Sequence, residues 1–361
     1  NYKPGLDIDY VKKKYKLSKV IKLASNENPV GPSKMALNVL KKSQENINRY
    51  PDGKCDALKQ EIVKFISKSY VKTKNIIIGN GSSEILELVA KAFLNKQSEA
   101  LFSQHSFIVY KLVSNIMNAK IQESKLITKA GESYMSSDLV DMKTRITSKT
   151  KVIFLPNPAN PTGTLLSHDD IDKFISKVSR KIIIVIDEAY IEYSCMRGHK
   201  SCLDLLKKYN NVIITRSFSK IYALAGVRIG YGLACEELIS KLNNKRQPFN
   251  VNQVAQLMAI KSLSDKKFLR KSLKDYELCR LFLVEQLDKL DVSYLDSYAN
   301  FITIDLGKAS KSIFNRLLKS GIILRPLDNY ELPNYLRLTI GTMEECKLFI
   351  SALKEILSKN K

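Results

Sequence analysis

The chain contains no tryptophan, has three histidines in 361 residues, and shows no apolar run near the roughly 20 residues that a membrane helix needs. Each shortage excludes a class of function. With His105, His168 and His199 as the whole supply, a histidine-based zinc site or a Ser-His-Asp triad has few candidates. Six cysteines (Cys55, Cys195, Cys202, Cys235, Cys279, Cys346) are scattered, with no CxxC pair and no Cys/His cluster at ligand spacing. That pattern fits reduced thiols in a cytosolic protein better than a disulfide scaffold. The first 20 residues are charged and broken by Pro4 and Gly5, so no secretory signal is expected. The chain reads as cytoplasmic, without membrane association.

Acidic residues are scarce too, 36 against 59 basic, which leaves a net charge of +23. Such an excess raises the possibility of a nucleic-acid-binding module. The lysines, however, are spread over the whole length, heavily outnumber the arginines, and have no zinc finger, RRM or glycine-arginine segment beside them. Solvated lysine-rich faces account for the charge, with weak, salt-sensitive adhesion to polyanions and no specific nucleic-acid site.

What is present is a hydrophobic content of 44%, enough for the core of a large domain and a smaller one. Four short β-branched runs read as buried parallel strands: "NIIIG" at Asn75 to Gly79, "KVIFLPNP" at Lys151 to Pro158, "KIIIVIDEAY" at Lys181 to Tyr190 and "NVIITRSF" at Asn211 to Phe218. Amphipathic helical stretches lie between them, so the expected fold is an α/β sheet with crossovers. Beyond about residue 250 the pattern changes to a long charged helix (Ser272 to Leu290), the strand-like "NFITIDL" and "YLRLTIG", and a terminal helix from about Met343. This predicts an N-terminal arm over 1–25, a large domain over 26–255 and a small α+β domain over 256–361.

Ligands of open α/β sheets sit outside the carboxyl ends of the strands. The four runs lead there into "GNGSSE", "NPANPTG", "DEAY" and "SFSK". Lys220 in "SFSK" follows a buried strand, lies near Arg228, and is flanked by Ser217 and Ser219, whose hydroxyls suit a phosphate. A lysine that bonds to an aldehyde must lose its proton, which desolvation and nearby cations promote. A phosphate beside an activated lysine points to pyridoxal 5'-phosphate; an ordinary surface loop is the alternative. Asp187 ends an apolar strand where an unpaired carboxylate is costly, so it needs a cationic partner such as a protonated pyridine nitrogen, a structural salt bridge or helix cap being the alternative for an Asp-Glu pair at a strand end. Tyr190 and Asn160 are placed to meet the cofactor's ring oxygen, although Asn-Pro turns are commonly structural. Gly81, Ser82 and Ser83 open the helical segment Ile85 to Phe93 and form either a phosphate cup or a plain serine N-cap.

Together "NPANPTG", "DEAY", "SFSK" with "AGVRIGY", and "YLRLTIGT" resemble the fold-type I pyridoxal-phosphate aminotransferases over nearly the whole chain. "NYKPG", "KLASNENPVGPS", "RYPDG" and "RQPFNVN" are similar to the histidinol-phosphate branch of that family. The resemblance implies a large domain with a mostly parallel central sheet, a smaller α+β domain, and transamination between L-histidinol phosphate and 2-oxoglutarate. It implies that Lys220 bears the cofactor, that Asp187 pairs with the pyridine nitrogen, and that Tyr190 and Asn160 contact its O3′. Ser82, Ser83, Ser217, Ser219 and Arg228 would hold its phosphate, and Phe107 would stack on its ring. Tyr50 would reach the cofactor phosphate of the other subunit, which implies a homodimer with shared sites. Arg337, Arg325, Tyr2 and Asn26 would bind the substrates, an amino donor and a keto acid. Without the family, each arginine reads as a surface or interdomain salt bridge. The loop "SQHSF" before Phe107 departs from the proline-rich turn frequent in the family, and Ala159 stands where a second asparagine is usual. An aromatic or broad-range aminotransferase and a threonine-phosphate decarboxylase are the neighbouring readings.

Overall fold

The computed structural model describes residues 5–43, 47–128 and 134–359. Its centre is a seven-stranded sheet of β1 (Ile76–Gly79), β2 (Glu99–Ser103), β3 (Lys120–Ser124), β4 (Thr150–Pro156), β5 (Ile183–Asp187), β6 (Val212–Ser217) and β7 (Gly230–Ala234). The spatial order is β1-β7-β6-β5-β4-β2-β3. The pairs β6-β5, β5-β4, β4-β2 and β2-β3 are parallel, and β7 runs antiparallel to both its neighbours. The first predicted strand is thus aligned with the others but is bonded only to the antiparallel β7, a strand that the apolar-run reading did not separate from its loop. Both faces of the sheet are covered. Along β5, Ile184 and Ile186 enter one hydrophobic cluster while Ile183 and Val185 enter another, as the two-residue period of a strand requires.

The second unit is a three-stranded antiparallel sheet of β8 (Phe301–Asp305), β9 (Arg325–Pro326) and β10 (Tyr335–Thr339), in the order β8-β10-β9. Helix Ser310–Lys319 packs on it, helix Met343–Ser358 packs against that helix and against the 24-residue helix Lys266–Lys289, and the latter carries the chain into this unit. Thr342 and Glu345 form a reciprocal capping box that starts the last helix where its apolar periodicity begins. Near the N-terminus, Ile21–Lys22 pairs in parallel with Ile322–Ile323, which attaches the arm to this unit. Helix Gln253–Ser264 packs on helices Lys34–Lys42 and Asp56–Ile66, so a boundary at 255 falls inside it. No helix among the described residues is long and apolar enough to cross a membrane.

Candidate active site

Because β1, β4, β5 and β6 point the same way, their carboxyl ends meet along one edge of the sheet. A cavity of about 270 Å³ opens there, closed on its far side by β9 and β10 of the small unit. Lys220, Asp187, Tyr190, Asn160 and Phe107 all face it.

Asp187 is buried, and its partners are not cations. Tyr110 Oη donates to Oδ2 at 2.9 Å and Thr215 Oγ1 donates to Oδ1 at 2.8 Å. Burial raises the carboxyl's pKa, and these two bonds oppose the rise. The structural salt bridge that was the alternative for this Asp-Glu pair belongs to the next residue. Successive strand residues face opposite sides of the sheet, so Glu188 points away from the cavity and pairs with Arg216 at 2.8 Å. Ser201 Oγ and Cys202 N–H complete the Glu188 carboxylate. Asp187 is therefore left facing the cavity without a positive charge bonded to it.

The Lys220 amine lies 5.4 Å from the centre of the Tyr190 ring. Its pKa falls from 10.5 to about 8, first through burial, then through the positive charges of Arg337 and Arg228, with Glu27 and Asp187 opposing. Glu27, not foreseen, lines the cavity beside Asn26. Asn26 donates from Nδ2 to Tyr190 Oη at 3.0 Å.

The anion side is built from two backbones. Helix Gly81–Phe93 has Asn80 at its N-cap with no side-chain cap bond, so neither Ser82 nor Ser83 serves as a cap, and both face the cavity. The first-turn N–H groups and the positive end of the helix are thus left for an anion. Gly81 does not line the cavity; it sits at φ +76° with the Arg228 guanidinium where a Cβ would be, 2.5 Å from Nη2. Any side chain there would displace the arginine. Ser217 and Ser219 bring two more hydroxyls, and Arg228, exposed at the cavity mouth, donates to Ser219 Oγ at 3.4 Å and to Ala225 O at 3.0 Å.

Across the cavity stand two buried arginines, Arg325 and Arg337, directly opposed in the β9-β10 register. The expectation of a salt bridge fails for Arg337. Among the described residues its guanidinium meets neutral groups: Asn160 Oδ1, the Ala24 carbonyl at 3.0 Å and the Tyr330 hydroxyl. Its Nε is buried without a partner. Burial pushes its pKa down, as expected of a cation lacking a counter-charge. Such a group is suited to a carboxylate or phosphate from outside.

Of the remaining expected residues, Tyr2 lies outside the described residues. Tyr50 is not in the cavity; it is 83% exposed and stacks on Phe249 with ring centres 4.8 Å apart. Tyr110 was missed because "FIVYKLV" reads as one more amphipathic helix, and nothing local distinguishes its hydroxyl.

A family model, aminotransferase class I and II, matches residues 18–353. The chain belongs to that family. The histidinol-phosphate aminotransferase of Caldicellulosiruptor saccharolyticus is 40% identical over 356 residues, which cover 99% of this chain and 97% of that one. Among solved structures, the histidinol-phosphate aminotransferase of Sinorhizobium meliloti in complex with pyridoxal-5'-phosphate matches with a TM-score of 0.90 at 22% identity, covering 99% and 96% of the two chains. That of Clostridium acetobutylicum matches with a TM-score of 0.86 at 26% identity, covering 94% and 100%. The α/β architecture with its smaller unit is the fold-type I aminotransferase fold. The cavity thus pairs an amine lowered to a pKa of about 8 with a buried carboxylate whose pKa is raised.

Proposed function

We propose that this chain is a pyridoxal-5'-phosphate-dependent aminotransferase that moves the amino group of L-histidinol phosphate to 2-oxoglutarate, giving imidazole acetol phosphate and L-glutamate, a step of histidine biosynthesis. The observation that carries the reading is the shared cavity: a lysine held near pKa 8, a buried Asp187 without a bonded cation, and a buried arginine without a counter-charge. Relatives of that name, 40% identical along nearly their whole length, support the choice of substrate.

The donor set fits the cofactor. Ser82, Ser83, Ser217, Ser219, Arg228 and the uncapped helix start would hold its phosphate, Asp187 its ring nitrogen, and Tyr190 with Asn160 its ring oxygen. Phe107 would stack on the ring, and Lys220 would bond to its aldehyde carbon. Bound there, the cofactor supplies an electron sink for the pair released when the substrate's Cα–H bond breaks. Released when the substrate's own amine replaces it at that carbon, Lys220 Nζ would take the Cα proton, and its lowered pKa would keep a useful fraction of the amine neutral near pH 7.5. Asp187, ordered by Tyr110 and Thr215, keeps the ring nitrogen protonated. Arg337 and Arg325 bind the phosphate of one substrate and the far carboxylate of the other, with Asn26 and Tyr2 completing the pocket. Because the two substrates react in turn, the same arginines serve both.

We also infer a cytoplasmic homodimer. Tyr50, held on the surface by Phe249, would reach the cofactor phosphate of a second copy. Mixing a Lys220→Ala chain with a Tyr50→Ala chain tests this, because half of the random pairs would carry one intact site; about a quarter of the sites should work although neither variant works alone, whereas independent sites would leave the Tyr50→Ala chain active by itself and about half of the sites in the mixture working. We infer a division between units after Ser264, supported by the packing of helix Gln253–Ser264 on helices Lys34–Lys42 and Asp56–Ile66.

The substrate is tested by presenting the cofactor-loaded enzyme with histidinol phosphate, phenylalanine or threonine phosphate and following the visible absorbance of the bound cofactor. Histidinol phosphate should bleach it fastest. Preference for phenylalanine would replace the substrate assignment with the broad-range reading, and release of carbon dioxide from threonine phosphate would replace it with the decarboxylase.

A further inference from the structure

The loop that carries Phe107 also carries His105, whose side chain reaches out of the large unit. His105 Nδ1 lies 2.5 Å from the main-chain carbonyl oxygen of Tyr330, 225 positions later in the chain. A carbonyl can only accept, so Nδ1 bears the proton and donates. The contact is held in place on both sides. His105 takes φ +56°, a left-handed conformation that histidine tolerates better than most residues and that proline cannot adopt. Tyr330 is packed with Leu327 and Leu332, and Ile108 from the helix after His105 touches the same cluster.

Tyr330 faces the cavity, and its hydroxyl accepts from the Arg337 guanidinium. The residues thus form a line: His105 from the large unit, the Tyr330 backbone, the Tyr330 hydroxyl, and Arg337. On its other sides Arg337 is held by Asn160 and the Ala24 carbonyl. Removing the His105 bond frees the Tyr330 main chain to shift and takes with it a phenol that orients this fork.

We propose that His105 is a positioning residue which, through Tyr330, sets Arg337 for the acidic end of the substrate. It touches neither substrate nor cofactor. The inference rests on the proposed role of Arg337, and the test separates the two. Three variants are compared in the cofactor-loaded enzyme: His105→Ala, His105→Asn and Arg337→Gln. Asparagine is chosen because its Nδ2 sits near the position of histidine Nδ1 and because it accepts a positive φ.

His105→Ala should raise KM for 2-oxoglutarate and for histidinol phosphate about five- to tenfold, the size of one lost hydrogen bond, with kcat changed less than about twofold. The spectrum of the bound cofactor should stay as in the wild type, and His105→Asn should restore KM to within about twofold. Tyr330→Phe should raise KM similarly, and adding His105→Ala to it should change little further, because both act on one line of contacts. Unchanged KM in His105→Ala while Arg337→Gln raises it would overturn the positioning role and leave the arginine assignment standing. Unchanged KM in Arg337→Gln would overturn both. Should His105→Ala fail to fold, the Tyr330→Phe and His105→Asn pair decides: normal KM in Tyr330→Phe overturns the proposal.

Discussion

Lys220→Met in the cofactor-free protein isolates the cost of keeping an ammonium group in this cavity. Burial, reinforced by Arg337 and Arg228, lowers the amine from 10.5 to about 8 in the native state, whereas the unfolded chain retains the ordinary value. Below pH 8 both states carry the proton, and the folded state bears the full penalty. Between pH 8 and about 10.5 the folded amine is neutral while the unfolded one is still charged, so the unfolded state binds more protons and stability rises with pH. A displacement of that size corresponds to about 3 kcal/mol. Methionine has nearly the same length and no charge, so the variant should be more stable than the wild type by about 3 kcal/mol at pH 7. With an unfolding entropy of about 2.1 cal/mol/K per residue, this is about 4 °C in Tm for a chain of this length. The advantage should shrink toward zero as the pH approaches 10.5. Thermal melts by circular dichroism at pH 7 and pH 10 read the difference, and effects of other titrating groups cancel because both proteins share them. With cofactor present the order should reverse, since only the wild type gains the covalent attachment. A variant no more stable than the wild type at pH 7, or a gap that does not narrow with rising pH, would refute the claim that Lys220 is held desolvated.

Tyr110→Phe leaves Asp187 with the Thr215 hydroxyl and the Ala189 backbone N–H. The lost bond helped keep the carboxylate ionised, so its pKa should rise further, the acid limb of the pH-rate profile should move to higher pH, and turnover should fall about tenfold. Arg337→Gln should cost about 2–4 kcal/mol of substrate binding, roughly 30- to 1,000-fold in kcat/KM for both substrates, carried mainly by KM in steady-state assays. Arg216→Met strands Glu188 as a buried, unpaired carboxylate. It should lower stability by about 3–5 kcal/mol, about 4–7 °C in melting experiments, while the double change with Glu188→Leu should lose much less.

The cluster around Lys220 was legible because its signals are local. A β-branched run that ends in Ser217, Phe218, Ser219 and Lys220 announces both a buried strand and a polar group at its carboxyl end, and parallel strands bring such ends together. The same logic reached Asp187, Asn160 and Ser82. It did not detect β7, "GYGLA", which lacks the branched residues of a typical strand. Its glycines answer a tertiary demand instead: a Cβ on Gly230 would lie 2.4 Å from the backbone nitrogen of Ser82. Tyr110 and Thr215 were illegible for the same reason, since the bonds that matter to them cross 77 and 28 positions of sequence.

Residue order by itself determined which chemical groups this protein has to work with and at which strand ends they stand, because hydrophobic period and turn chemistry act over a few neighbours. Only the tertiary structure decided their charge states and partners. It gave Arg216 to Glu188 and left Asp187 free of it, set Arg325 across from Arg337, and buried the amine of Lys220. Those outcomes depend on distances and solvent exclusion between segments far apart in the chain, which no local pattern specifies.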